Sequence, residues 1–300
     1  MTTTNTSRWM ALFAGLALGG TALAQNDGYS NLPSTLELKG VIRDFQERSV
    51  SGGHTDFERQ PSGGFGHYFG ICADDLDADK KPVFASTGKL VSTQWKDAQG
   101  RQVMPPRAHY PALATDVRGT FNTSKTGAVV SADSFAQWFR DVPGVNLSAP
   151  LTLTLSRTQG SNVYVFDDKS SALYNGLGGF FPINGQLYGN SAGNDRNFHF
   201  TFELTTQFVY EQGAGQVFTF KGDDDVFVFI DGKCVIDIGG VHSAVTQSVA
   251  LDRLAWLENG KTYDLRFFFA ERHRTQSNFR IETTIQLRDV EIQATTALHD

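Results

Sequence analysis

The residues best placed to do chemistry are Gly222-Asp223-Asp224-Asp225, three carboxylates in a row. They stand directly before an apolar run, Val226 to Ile230, and the turn Asp231-Gly232-Lys233. Adjacent carboxylates repel one another unless water or a cation neutralises them. Ca²⁺ takes about 6 to 8 oxygen ligands from carboxylates, amides and main-chain carbonyls, and loops held by rigid strands commonly supply them. A second polar segment, Arg272-His273-Arg274-Thr275-Gln276-Ser277-Asn278, lies between two strong strand patterns and offers the Asn278 amide oxygen. On spacing alone two readings stay open, a metal loop and a solvated acidic turn. Asp75-Leu76-Asp77-Ala78-Asp79 imitates the start of an EF-hand, but Lys80 and Ser86 stand where that loop needs Gly and Glu. The seven His are dispersed without zinc spacing.

The elements that must position these residues follow a period of two. Phe198, Phe200, Phe202 and Leu204 alternate with polar neighbours, as do Phe279, Ile281, Thr283, Ile285 and Leu287, the mark of half-buried strands. Val226 to Ile230 and Phe267 to Ala270 are apolar without a break and are expected as central strands covered on both faces. Further strands are expected at Thr35 to Phe45, Leu151 to Leu155, Asn162 to Phe166 and Val217 to Lys221, with turns at Asp231-Gly232 and Asn259-Gly260. One helix is expected, capped by Ser131 and carrying Phe135, Trp138 and Phe139 on one face before Pro143-Gly144. Between Lys80 and Gly127 the pattern blurs into long inserted loops. The whole reads as an all-β antiparallel sandwich.

Composition agrees and narrows the function. The chain has 300 residues, net charge −6, 40% hydrophobic residues and 24 Phe, which suits a large core and speaks against nucleic-acid binding. Residues 1–24 have the form of a secretory signal peptide. Arg8 precedes an apolar stretch from Trp9 to Leu23 that is too short for a membrane span, and the segment ends on Ala22-Leu23-Ala24. A flexible leader is expected over residues 25–34, one domain over 35–294 and a short tail over 295–300. No membrane span is expected in the mature chain, and the expected location is extracellular or cell-surface, with the periplasm as alternative. Cys72 and Cys234 are the only thiols. In an oxidising compartment they either form one disulfide or stay as small buried side chains.

The segments Asp133 to Asn146, Phe180 to Asn190, Asn197 to Leu204, Phe218 to His242 and Tyr263 to Thr283 closely resemble the fibro-slime domain family. That family is a branch of the protective-antigen (PA-14) lectin-like β-sandwich superfamily. The resemblance implies a jelly-roll type sandwich with one short helix, acting as a secreted, non-enzymatic bacterial surface module. It also implies a metal site. In the superfamily pattern an Asp pair joined by a cis peptide holds Ca²⁺, which in turn holds sugar hydroxyls, eight residues before the Asp of an Ile-Asp-Gly turn. Asp223 and Asp224 match that pair and Asn278 the amide ligand on the second loop, while Asp225, a further candidate helper, stands where the pattern favours Gly. The implied partner is a polysaccharide or cell-surface glycan, and the loop Arg272, His273, Arg274, Thr275, Gln276 and Ser277 is the candidate ligand surface. Tyr188, Tyr174, Trp256 and Phe180 are candidate stacking aromatics. Two alternatives stand beside this reading. One is a structural matrix or appendage protein that binds protein partners, with calcium only stiffening loops. The other is a polysaccharide hydrolase, disfavoured because neighbouring Asp residues make a poor acid and nucleophile pair.

Overall fold

The computed structural model describes Met1 and residues 28–289. Residues 2–24 of the expected signal peptide and the tail expected at 295–300 lie outside the described residues. In chain order the strands are β1 (Thr35–Phe45), the inserted β2 (Tyr68–Phe69), β3 (Lys89–Thr93), β4 (Trp95–Lys96), β5 (Gln102–Val103) and β6 (Thr120–Asn122), then β7 (Asn146–Arg157) and β8 (Tyr164–Asp167). They continue with β9 (Phe200–Val209), β10 (Val217–Gly222), β11 (Asp225–Ile230), β12 (Lys233–Ile238), β13 (Val245–Ala250), β14 (Thr262–Glu271), β15 (Phe279–Thr283) and β16 (Arg288–Asp289).

Eleven strands form one antiparallel sheet in the order β12-β11-β14-β9-β1-β7-β8-β15-β10-β13, with β16 on β9. The sheet folds over so that strands remote in that order meet face to face. Phe279 of β15 lies 5.0 Å from Phe269 and 5.5 Å from Phe267, both on β14. Phe220 of β10 lies 5.5 Å from Phe267. Edge-to-face and tilted rings at these spacings pack a dense core, which accounts for the Phe-rich composition. The insertion at 80–127 builds the small sheet β4-β5 and, with β2 from before it, the sheet β2-β3-β6.

Ser131 caps a helix as expected, but α1 spans only Ala132–Phe135. Its aromatic face, continued by Trp138 and Phe139, covers the outer side of the sheet. Phe135 meets Phe227 at 5.8 Å and Phe139 meets Phe268 at 5.0 Å. That cover is why Val226–Ile230 and Phe267–Ala270 are apolar on both faces. The expectation of one helix is corrected by a second, α2 (Ala172–Leu177), and a 3₁₀ turn at Leu251–Arg253. Helix α2 has no side-chain cap at Ser171 and only Tyr174 buried, so it carries neither sequence signal of a helix. Among the described residues no helix is long and apolar enough to cross a membrane.

Candidate functional site

Three loops meet at one end of the sandwich: β10 to β11, β12 to β13, and β14 to β15. Gly222 ends β10 because a Cβ there would stand 2.1 Å from the Asn278 carbonyl oxygen. The Asp223-Asp224 peptide is cis. Asp223 receives both donors of Asn278, its main-chain N–H and its side-chain Nδ2, each at 2.7 Å. Asp224 receives the main-chain N–H of His242 at 3.2 Å and that of Arg272 at 3.1 Å, so it is held by the other two loops. The structure therefore brings Asp223, Asp224 and Asn278 together.

Asp225 does something else. Its carboxylate takes Nε and Nη2 of Arg272 at 2.6 and 3.1 Å, with the Gly240 N–H as a third donor. The guanidinium is fully buried, donates to the Asp56 carbonyl at 3.1 Å and lies 4.8 Å over the Trp138 ring. Asp225 is thus an ion-pair anchor, and its place as a helper ligand is corrected: its oxygens are already taken by a cation. Arg272 and Ser277 are likewise removed from the candidate ligand surface. The first is 0% exposed, and the second is 1% exposed and donates to the Phe180 carbonyl.

The rest of that loop faces outward and is braced from beneath. The Arg274 guanidinium pairs with Glu47 and its N–H with Glu58, while His273 Nδ1 lies 3.0 Å from Glu58. Burial would raise the Glu58 carboxyl, but hydrogen bonds from His199 and His273 outweigh it and hold the group at about 2. Thr275 and Gln276 are exposed at the tip.

Sequence reasoning missed Glu271, the last residue of β14. It is 0% exposed, its Oε1 takes the His273 N–H, and its Oε2 has no hydrogen-bond partner. Burial pushes its carboxyl well up, and the nearby charges of Asp224 and Asp223 push it further. Burial likewise raises Asp223 to about 6, against the Asn278 donors, and raises Asp224 against the pull of Arg272. The only sequence signal for Glu271 is an acid closing an otherwise apolar strand. Among the described residues, no three His, Cys, Asp or Glu side chains are grouped as a metal centre of side chains alone. A cation here would therefore need amide and main-chain oxygens as well.

A serine frame, Gly189-Asn190-Ser191-Ala192-Gly193, has the spacing of a hydrolase nucleophile turn, and Ser191 Oγ lies 3.0 Å from His199 Nδ1. It sits in an irregular loop rather than a strand-turn-helix, and its Oγ accepts the Phe198 N–H at 2.9 Å, so the contact ties the loop shut. The proposed stacking aromatics fall elsewhere. Phe180 and Tyr174 are core, Trp256 lies beside Lys233, and Tyr188 has its N–H on Asp44. Cys72 and Cys234 are buried free thiols with sulfurs 3.7 Å apart.

Residues 184–296 match the family model of the PA14 domain. Over that segment the chain resembles a PA14 domain. The superfamily expected from the sequence is thereby met, and the domain match takes in all three converging loops. Protein psiH of Dictyostelium discoideum is 33% identical over 266 residues, 85% of this chain and 31% of that protein. Protein psiQ of the same organism is 36% identical over 188 residues, 58% of this chain and 18% of that protein. The chain thus spans a third or less of the length of these relatives. Among solved structures, a PA14 sugar-binding domain from an RTX adhesin is 19% identical with a TM-score of 0.23, over 31% of this chain and 51% of that one.

Proposed function

We propose that the protein is a secreted, non-enzymatic, calcium-dependent carbohydrate-binding or adhesion module of the cell surface or extracellular matrix. The observation that carries this reading is a set of carboxylates, Asp223, Asp224 and Glu271, buried together at converging loop tips with one carboxylate oxygen unpartnered and the nearby guanidinium already committed to Asp225. Burying ionised carboxylates without a counter-charge is costly, and such groups ordinarily shift toward neutrality or coordinate a metal. The donors present, carboxylate and amide oxygens without thiolate or imidazole, suit a hard cation such as Ca²⁺.

Asp223, Asp224 and, after rotation of its amide, Asn278 would hold the ion, with Glu271 supplying further negative charge. A bound calcium ion supplies open coordination positions for neighbouring sugar hydroxyls. The protein's own part is to fix the loops. Arg272 clamps Asp225 and Asp224 from below, Gly222 lets the first loop pass against Asn278, and Glu58 braces the loop that faces solvent.

The test is thermal unfolding in EDTA and then in millimolar Ca²⁺, for the wild type and Asp223→Asn/Asp224→Asn. An ion that binds only the folded state at 100 times its Kd adds about 2.7 kcal/mol. The wild type is expected to show that gain and the variant to lack it. A wild type indifferent to Ca²⁺ would overturn the calcium reading. A calcium shift without retention on any glycan array would leave a loop-stiffening ion in a matrix protein.

A further inference from the structure

Beside the Asp pair lies an open hollow of about 320 Å³, at the lower end of the range for small-molecule sites. Its lining includes Phe65, His242, Ser243, His273, Thr275 and Gln276. None of the carboxylates lines it, but two of its lining residues adjoin them, because the His242 N–H bonds Asp224 and Gln276 Oε1 accepts from the Asn278 amide that holds Asp223. On its rim stands Phe65, a phenylalanine that is 49% exposed in a protein that buries most of its aromatics.

That exposure is built. Phe65 sits in Gly63-Gly64-Phe65-Gly66, where Gly64 and Gly66 have φ of 92° and 154° and a Cβ on Gly66 would stand 2.4 Å from Leu90. The segment is pinned by main-chain bonds, Gly63 N–H to Thr126 and Gly66 N–H to Val241, each at 2.8 Å. The ring leans on His273 at 4.9 Å, and His273 is fixed in turn by Glu58. A rigid, half-open ring costs little ordering entropy when a ligand covers it.

We propose that Phe65 is the stacking platform for the apolar face of a neutral hexopyranose residue, whose hydroxyls turn toward Ser243, Thr275 and Gln276. This rests on the carbohydrate-binding reading and names the sugar class for it. Neutrality follows from the charges. The two guanidinium groups of the loop are spent on Asp225 and Glu47, leaving neither to pair with a carboxylate or sulfate on the sugar.

The test is saturation-transfer NMR on the full chain in millimolar Ca²⁺, using methyl glycosides of glucose, galactose and mannose, with methyl glucuronide as the charged probe. At least one neutral glycoside is expected to bind. Phe65→Ala should weaken it about tenfold or more while Phe65→Trp retains it, with the melting temperature and the calcium shift unchanged in both. Equal binding by wild type and Phe65→Ala would overturn the platform and leave the carbohydrate reading standing. Preference for the glucuronide would overturn neutrality. If no glycoside binds the wild type, both readings fall together.

Discussion

Asp224 and Asp225 are neighbours in sequence and lie at one depth, 3% and 0% exposed, yet only Asp225 faces a cation within the protein. Arg272 reaches the second carboxylate with two nitrogens and gives the first only its main-chain N–H. Asp225 is therefore a closed ion pair with no call on solvent ions. Asp224, with Asp223 on one side and the half-satisfied Glu271 nearby, is an excess of negative charge held by N–H donors and by the weaker pull of a guanidinium that bonds Asp225 instead. A run of like residues has been divided into an anchor and a site, and the division is made by which carboxylate the Arg272 guanidinium reaches.

The largest expected effect removes the anchor. Arg272→Met keeps apolar bulk over Trp138 but leaves Asp225 buried and uncompensated, a loss of about 3 to 5 kcal/mol by chemical denaturation. Added Ca²⁺ should not restore it, since the ion serves the other carboxylates. A loss below about 1 kcal/mol, or recovery in calcium, would break the comparison.

Asp44 offers a third arrangement, a single buried acid held by N–H donors alone, from Asn197 and Tyr188. Burial raises its carboxyl to about 7 in spite of those donors. The native state then binds this proton more tightly than the unfolded chain. The associated stability is full below the unfolded value of 3.8 and is lost as pH rises through about 7. The loss amounts to as much as about 4 kcal/mol. Asp44→Asn should shrink the fall in stability between pH 5 and pH 8. The readout is that slope, because an amide places its NH₂ against one of the two donors. An unchanged slope would show that Asp44 stays ionised and that N–H donors alone suffice, which would weaken the case for an ion beside Asp224.

Much of this is legible in the sequence. The β-strands followed from alternation at Phe198 to Leu204 and Phe279 to Thr283, because one face of each must leave water. The Asp231-Gly232 turn followed from residues that tolerate φ of 53° and 76°. The Asp pair was legible because like charges in sequence must be neutralised somewhere. Partners brought together by folding were not. That Asp225 belongs to Arg272, 47 residues away, depends on how β11 and β14 pair, and an arginine in a polar loop looks like a ligand until the loop turns it inward. Phe65 was hidden for the opposite reason, since one exposed aromatic cannot be told by composition from 23 others. Helix α2 escaped because a single turn and a half carries too few residues for periodicity to show.

The smallest expected effect tests Glu271, the member of the carboxylate group that no spacing marked. Glu271→Gln removes a carboxylate whose charge opposes those of Asp223 and Asp224. In EDTA the variant is therefore expected to gain about 1 kcal/mol from the relieved repulsion. In Ca²⁺ it should gain less than the wild type does, because the ion then meets one negative charge fewer. The two shifts have opposite signs only if Glu271 is ionised whenever the ion is bound. A variant less stable than wild type in EDTA, with the calcium gain intact, would mean that Glu271 is held as the neutral acid. The excess charge at the loop tips would then be that of Asp223 and Asp224 alone.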